Sequence, residues 1–167
     1  AGPSFETIAG FGANGAIIHY EPTERKSSEV GRDSMMLLDF GGQFKCGGTT
    51  DTSRTVWRGP GKPDSTHKRL YTSVLRSHIA LASAVFPDAV SPVVLDSIAR
   101  GVMWKQGLEY RHGTGHGVGA FLGVHESPIL SNSSHSEPKV HKGMTITIEP
   151  GVYIEGKCGG RIENVGV

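Results

Sequence analysis

The sequence predicts an α+β domain with helices on one face of an antiparallel sheet. Three observations lead there. Strand-like segments come first, two helical segments follow, and strand-like segments return. The hydrophobic period changes between the strand-like and helical segments. Glycine supplies 24 of 167 residues, which favours turns and close strand approaches over a helical bundle.

Past a Gly-rich opening, AIIHY at 16–20 reads as a short strand, and a polar loop follows it. MMLLDFGGQF at 35–44 is apolar with β character, KCGG is turn chemistry, and TTDTSRTVW at 49–57 alternates. Together these two runs predict a β-hairpin. Over 65–86 the period becomes helical, with Leu70, Val74, Leu81 and Val85 on one stripe and Pro87 as the stop. A second helix is signalled by Ser91 with Pro92 in its first turn, and runs through Leu95, Ile98, Val102 and Met103 to about Gly107. Residues 120–142 read mostly as loop. MTITIEP at 144–150 alternates, and GRIENV at 160–165 is the last strand-like piece.

The length suits one domain. A net charge of +1 makes no electrostatic case for nucleic acid or a membrane surface as partner. No apolar run approaches the roughly 20 residues that span a bilayer. Two cysteines, Cys46 and Cys158, are too few for a disulfide framework. The chain starts without Met and stops inside a strand-like run. That predicts a piece of a longer protein.

The chemistry lies in the strand-like pieces and in HGTGHGVG at 112–119. Side chains at i and i+2 share a strand face. Thr145, Thr147 and Glu149 therefore lie opposite Met144, Ile146 and Ile148. Asp51 shares a face with Ser53 and Thr55, and Arg161 with Glu163. Asp39 abuts the apolar run MMLL, where a buried carboxylate is costly unless it is paired or binds a metal. Asp39, Asp51, Glu149 and Glu163, with one or both histidines of the Gly/His run, would suit Mn²⁺, Zn²⁺ or Co²⁺. So many carboxylates in one pocket would repel unless cations neutralised them. His67, His78, His135 and His141 read as solvated or structural.

LLDFGGQFKCGGTTDTSRT, HGTGHGVG, VHESP, TIEPG and RIEN, in this order, resemble the catalytic domain of the aminopeptidase P family, the Xaa-Pro aminopeptidases. NGAIIHY is similar to that family's eukaryotic cytosolic branch. The resemblance implies the pita-bread fold shared with prolidase, creatinase and methionine aminopeptidase, here over 1–167 and incomplete at both ends, so that this chain taken alone is expected to be poorly stable or inactive. It implies two divalent ions, usually manganese, with zinc or cobalt as alternatives. Asp39 would bind one ion, His116 and Glu149 the other, and Asp51 and Glu163 would bridge. His112 would lie behind the ligands or on the substrate side. His19 and His125 would face the substrate, and Arg161 would point toward the cluster.

The implied reaction releases the first residue of a peptide whose second residue is proline. A metal-bridging hydroxide would be the nucleophile, His125 would stabilise the oxyanion, and Glu149 would carry the proton. A prolidase-type dipeptidase or an inactive binding module would be alternatives on the same scaffold. Proline-containing peptides as substrates, a cytoplasmic location and a homodimeric parent protein also follow from the resemblance. The hairpin carries one glycine more than the family's usual spacing between its two aspartates. A register slip there would turn one carboxylate away, whereas an extra residue in the turn would leave both faces intact.

Overall fold

The computed structural model describes residues 2–25, 27–120, 123–133 and 135–167. Twelve strands and two helices follow in chain order: β1 (Gly2–Pro3), β2 (Ile8–Phe11), β3 (Ser34–Phe40), β4 (Gly42–Phe44), β5 (Gly48–Thr49), β6 (Thr52–Arg58), α1 (Ser65–Ala82), α2 (Pro92–Trp104), β7 (Gly115–Gly117), β8 (Glu126–Leu130), β9 (Ile146–Ile148), β10 (Gly151–Ile154), β11 (Cys158–Arg161) and β12 (Asn164–Gly166). A 3-10 turn, Gly12–Ala16, follows β2. Every pairing between these strands is antiparallel.

The predicted hairpin is the β3–β6 pair. Its register runs from Ser34↔Arg58 to Phe40↔Thr52. It resumes in step at the tip, where Gln43 faces Thr49 and Phe44 faces Gly48 across a turn at 45–47. No slip occurs, so Asp39 and Asp51 keep the same face and the length of the loop is absorbed in the turn. β2 adds to the other edge of β3, with Ile8 opposite Asp39. A second sheet runs β12-β9-β7-β8, and β10 and β11 form their own hairpin.

The helices lie across both sheets and supply two adjoining core clusters. Leu70 and Val74 of α1 pack with Met35, Met103, Val152 and Ile162. Further along, Leu81 packs with Leu95, Ala99, Leu130 and Ile146. Each helix therefore buries one stripe against the hairpin sheet at one end and the β7–β9 sheet at the other. Helix α1 is capped by Asp64, whose side chain accepts the His67 N–H. Pro92 occupies the first turn of α2, as its start signal implies.

Four expectations need correction. AIIHY is not a strand. The strand precedes it at Ile8–Phe11, and the chain then turns through Gly12 at φ +55°. Gly15 presses on Gly159 so closely that a Cβ on Gly159 would lie 1.8 Å from the Gly15 carbonyl. Ile18 and His19 then line a cavity. Helix α1 stops at Ala82, not at Phe86, because its stripe runs out of core: Val85 is 99% exposed. Helix α2 ends at Trp104, short of Gly107. Residues 120–142 contain β8, which pairs with β7. Phe121, Leu122 and Ser134 in that stretch, and Lys26 in the earlier polar loop, lie outside the described residues.

Candidate metal centre

The six candidate residues come from six places and meet at the seam between the two sheets. Asp39 lies near the end of β3, and Asp51 just precedes β6. His116 is the middle residue of β7. Glu149 follows β9, Arg161 ends β11, and Glu163 precedes β12. Backbone bonds weld the seam: Glu163 N–H donates to the Ser53 carbonyl at 3.1 Å, and Glu149 N–H to the Thr114 carbonyl at 2.8 Å.

The pairing of β7 with β8 breaks step between His116 and Gly117. Irregularities of this kind re-aim side chains beside functional sites. Gly115 and Gly117 make the crossing possible. A Cβ on Gly115 would lie 2.0 Å from the Thr147 carbonyl, and one on Gly117 would lie 2.4 Å from the Ser127 carbonyl. These two glycines therefore make room for neighbouring strands, rather than for a peptide.

Two ligand-atom clusters result. Asp39, Asp51 and Glu163 form one, and His116, Glu149 and Glu163 the other, the atoms of each lying within 4.8 Å of one another. Glu163 belongs to both. Asp51 belongs to the first and also approaches His116 Nε2 at 3.4 Å, while Glu149 Oε1 lies 3.1 Å from the same nitrogen. Asp51 and His116 form a further cluster with the exposed His125, whose ring meets His116 edge-on at 4.5 Å.

The electrostatics fit a cation site. Glu163 is 1% exposed, and burial, then Glu149, Asp51 and Asp39, push its carboxyl up to about 9. Burial likewise raises Asp39 above the usual carboxylate range, despite Arg161 beside it. Asp39 Oδ1 and Glu163 Oε1 are buried and have no hydrogen-bond partner among the described residues. His116 Nδ1 donates to the Gly117 carbonyl at 2.9 Å, so Nε2 faces the carboxylates. Burial opposes charge on this ring, yet Asp51 and Glu149 outweigh it and push the imidazole up to about 10. Without a metal, a proton on Nε2 supplies the positive charge the carboxylates call for. Buried oxygens without partners and an oriented imidazole are the donor set of a carboxylate-rich divalent site.

A hydrogen-bonded chain backs the centre. Arg161 Nη2 donates to Asp39 Oδ2 at 2.5 Å, Nε to Ser53 Oγ at 2.8 Å and Nη1 to the Tyr153 hydroxyl at 2.7 Å. Ser53 Oγ donates to Glu163 Oε2 at 2.7 Å. His112 Nδ1 lies 2.7 Å from the Gly113 carbonyl, which can only accept, so the neutral ring carries its proton there. Nε2 then accepts from the Tyr153 hydroxyl at 2.8 Å. Burial first, and Arg161 with it, push His112 down to about 4 and keep it neutral. Both its nitrogens are engaged inside the protein, while its ring also borders the cavity beside the cluster.

His19 and His125 line the mouth of a cavity of about 410 Å³ that opens onto the cluster, with Phe5, Ile8, Ile18 and Ile129 as its apolar wall. Burial, followed by the charge on His116, lowers the pKa of His125. His78, by contrast, is buried and bonded to the Ile148 carbonyl.

Sequence reading did not find Ser53, Thr147 or Tyr153 as parts of the site. The first two had a signal: each lies two residues from a ligand-type carboxylate on the same strand face. Thr147 Oγ1 accepts the His116 N–H at 3.0 Å and donates to Glu149 Oε1 at 3.2 Å. Tyr153 had none, since it arrives on a hairpin, β10–β11, that the sequence pattern does not announce.

A mixed α+β domain with one buried imidazole among four buried or half-buried carboxylates, in clusters that share Glu163, defines a candidate divalent-metal centre. The whole chain, residues 1–167, matches the model of metallopeptidase family M24, and the protein belongs to that family. It is 48% identical over 164 residues to aminopeptidase P1 of Lotus japonicus, covering 98% of this chain and 24% of that protein. A probable Xaa-Pro aminopeptidase P of Neurospora crassa is 47% identical over 168 residues, 99% of this chain and 24% of the relative. The chain thus spans about a quarter of the length of these curated relatives.

The fold superimposes on X-prolyl aminopeptidase from Caenorhabditis elegans, a cytosolic enzyme with a di-nuclear active site. The TM-score is 0.90 at 41% identity, over 98% of this chain and 26% of that one. Prolidase from Pyrococcus furiosus gives 0.86 at 32% identity, over 98% and 46%. The fold is accordingly the pita-bread fold of these neighbours.

Proposed function

We propose that this chain carries the metal centre of an Xaa-Pro aminopeptidase that releases the first residue when the second is proline. The observation that carries the reading is the pair of ligand clusters sharing Glu163, with two buried carboxylate oxygens lacking partners among the described residues. Asp39 would hold one ion, His116 and Glu149 the other, with Asp51 and Glu163 between them. Manganese is the proposed metal. Two such ions, when bound, would make a water acidic enough to attack near neutral pH and would polarise the scissile carbonyl.

The chain's own groups do the rest. Glu149, in the cluster with His116 and Glu163, is the proposed carrier of the water's proton to the leaving nitrogen. His125, neutral at the cavity mouth, can donate to the developing oxyanion through its ring N–H. The apolar wall of Ile8, Ile18 and Ile129 suits a pyrrolidine ring, and His19 closes that side. Arg161 holds Asp39 in place while Tyr153 ties Arg161 to His112.

A cytosolic location is proposed from the nematode relative's description, and a homodimer from the family resemblance. No helix among the described residues is long and apolar enough to cross a membrane.

The test is hydrolysis by the full-length protein loaded with Mn²⁺. Xaa-Pro-Xaa tripeptides should be cut and Xaa-Ala-Xaa tripeptides should not. Cleavage confined to Xaa-Pro dipeptides would replace this reading with a prolidase-type one. A protein that binds no Mn²⁺, Zn²⁺ or Co²⁺ would be a binding module.

A further inference from the structure

Helix α2 carries a buried ion pair, Asp96–Arg100, whose arginine also donates to the half-exposed Glu109 at 2.7 Å and borders a second cavity with Tyr110 and Ser131. Arg100 donates through Nε and Nη2 to both oxygens of Asp96, at 2.9 and 2.7 Å. Both residues are almost wholly buried, Asp96 at 0% and Arg100 at 3% exposure. A pair so placed gives up the hydration of two ions, and its net contribution to stability is commonly small or negative. Its partners indicate another use.

Arg100 Nη1 donates to the Tyr110 carbonyl at 2.7 Å, and Nη2 to the His112 carbonyl at 3.0 Å. Asp96 Oδ1 accepts from Thr114 Oγ1 at 2.5 Å. The guanidinium lies 4.2 Å over the Tyr110 ring, whose hydroxyl pairs with Thr114 Oγ1 at 2.6 Å. The pair thus grips three alternate residues of the segment that leads into β7: the Arg100 fork holds the carbonyls of 110 and 112, and Asp96 holds the hydroxyl of 114.

That segment feeds one half of the metal centre. The Thr114 carbonyl accepts the Glu149 N–H, and His116 lies two residues further on. The other half is held chiefly by another element: Asp39 and Asp51 belong to the β3–β6 hairpin, whose register is set by its own strand pairing, and α2 meets that hairpin through Met103 against Met35 rather than through the ion pair.

We propose that the Asp96–Arg100 pair is a positioning clasp for the His116–Glu149 half of the metal centre and leaves the Asp39–Asp51 half untouched. The clasp touches neither metal nor substrate. It fixes backbone 110–114, and through that backbone the bearing of the imidazole and the carboxylate that share one ion. This rests on the two-metal reading above.

Arg100→Lys keeps the charge but loses the fork, since one ammonium cannot serve two carboxylate oxygens and two carbonyls in this geometry. Asp96→Asn keeps the shape but loses the anion. Calorimetric titration of the metal-free full-length protein with Mn²⁺ reads both sites, and thermal unfolding in EDTA reads the fold. In each variant that folds, one Mn²⁺ should bind as in the parent and the second about 10–100-fold more weakly, the usual range for outer partners of metal ligands. Two unaltered sites would overturn the clasp. So would equal weakening of both sites in step with a lower Tm, the mark of a purely structural pair. A parent protein that takes up no Mn²⁺ would instead overturn the two-metal reading itself, and the clasp with it.

Discussion

His112 and His116 stand four residues apart in one glycine-rich run, and their surroundings drive them to opposite protonation. His116 has its Nε2 between Asp51 and Glu149, and those anions push the ring up to about 10 against the effect of burial. His112 is buried beside Arg161, donates to the Gly113 carbonyl, accepts from Tyr153, and is pushed down to about 4. Their responses to truncation should differ accordingly. His116→Ala removes a ligand atom, so the Mn²⁺-loaded protein should retain one ion instead of two after gel filtration. His112→Ala should retain both, at a cost of about 1–3 kcal/mol for the Tyr153 hydroxyl left without its partner. Elemental analysis of the two variants separates these outcomes; equal metal loss would contradict the assignment. From the sequence alone, strand alternation places Asp51, Glu149 and Glu163 beside polar residues and leaves Asp39 as a carboxylate against an apolar run, and the fold gathers all four at the candidate centre. Alternation cannot tell one histidine from the other, because that difference depends on Tyr153 and Arg161, which arrive 41 and 49 residues after His112 in the chain.

Short strands suffice here because each is pinned by something beyond its own pairing. β7 has only three residues, yet it holds β8 on one side and β9 on the other. It can do so because the neighbouring backbones come within contact of Gly115 and Gly117. Gly115→Ala would drive a methyl group to 2.0 Å from the Thr147 carbonyl, which must move by more than an ångström. Thr147 joins His116 to Glu149, so the displacement reaches the centre. The substitution should cost about 1–3 kcal/mol, as overpacking typically does, and should weaken Mn²⁺ binding with every ligand still present. Thermal unfolding and a Mn²⁺ titration of this variant check both effects, and parental values in each would refute the strand-contact role. The hairpin and both helices are legible in the sequence because their periodicity is long and clean. Strands β8, β10 and the three-residue β7 are not, for runs this short hold too few alternations to outweigh their glycines and prolines. AIIHY misleads for the opposite reason. Its apolar residues satisfy a strand pattern, but they serve separate ends beside a glycine contact that local periodicity cannot foresee: Ile17 is exposed, Ile18 lines the cavity and Tyr20 is buried.

Across the whole molecule, the centre couples folding to pH and to metal. In the metal-free protein Glu163 titrates near 9 instead of its ordinary 4.5. The folded state therefore binds this proton more tightly than the unfolded chain. That stabilisation is complete below about 4.5 and is lost as pH rises towards 9. His116 acts in the same direction, its contribution falling away between 6.5 and about 10. His112 acts oppositely: held neutral, it stabilises above 6.5 and loses that contribution as pH falls towards about 4. From pH 7 to 9 the two raised groups dominate, because His112 is already neutral in both states. The metal-free protein should therefore lose Tm steadily over that interval. Divalent ions reverse the trend, since they bind only deprotonated ligands and so compete with the protons on Glu163 and His116. Mn²⁺ at about 100-fold over its Kd adds about 2.7 kcal/mol per site, and that Kd tightens as pH rises. The Tm difference between Mn²⁺-loaded and EDTA-treated protein should accordingly widen from pH 7 to pH 9 at fixed free Mn²⁺. Differential scanning calorimetry at three pH values tests this. A constant difference would mean that the protons on Glu163 and His116 are not the ones the metals displace, and the buried carboxylates would then need another source of compensating charge.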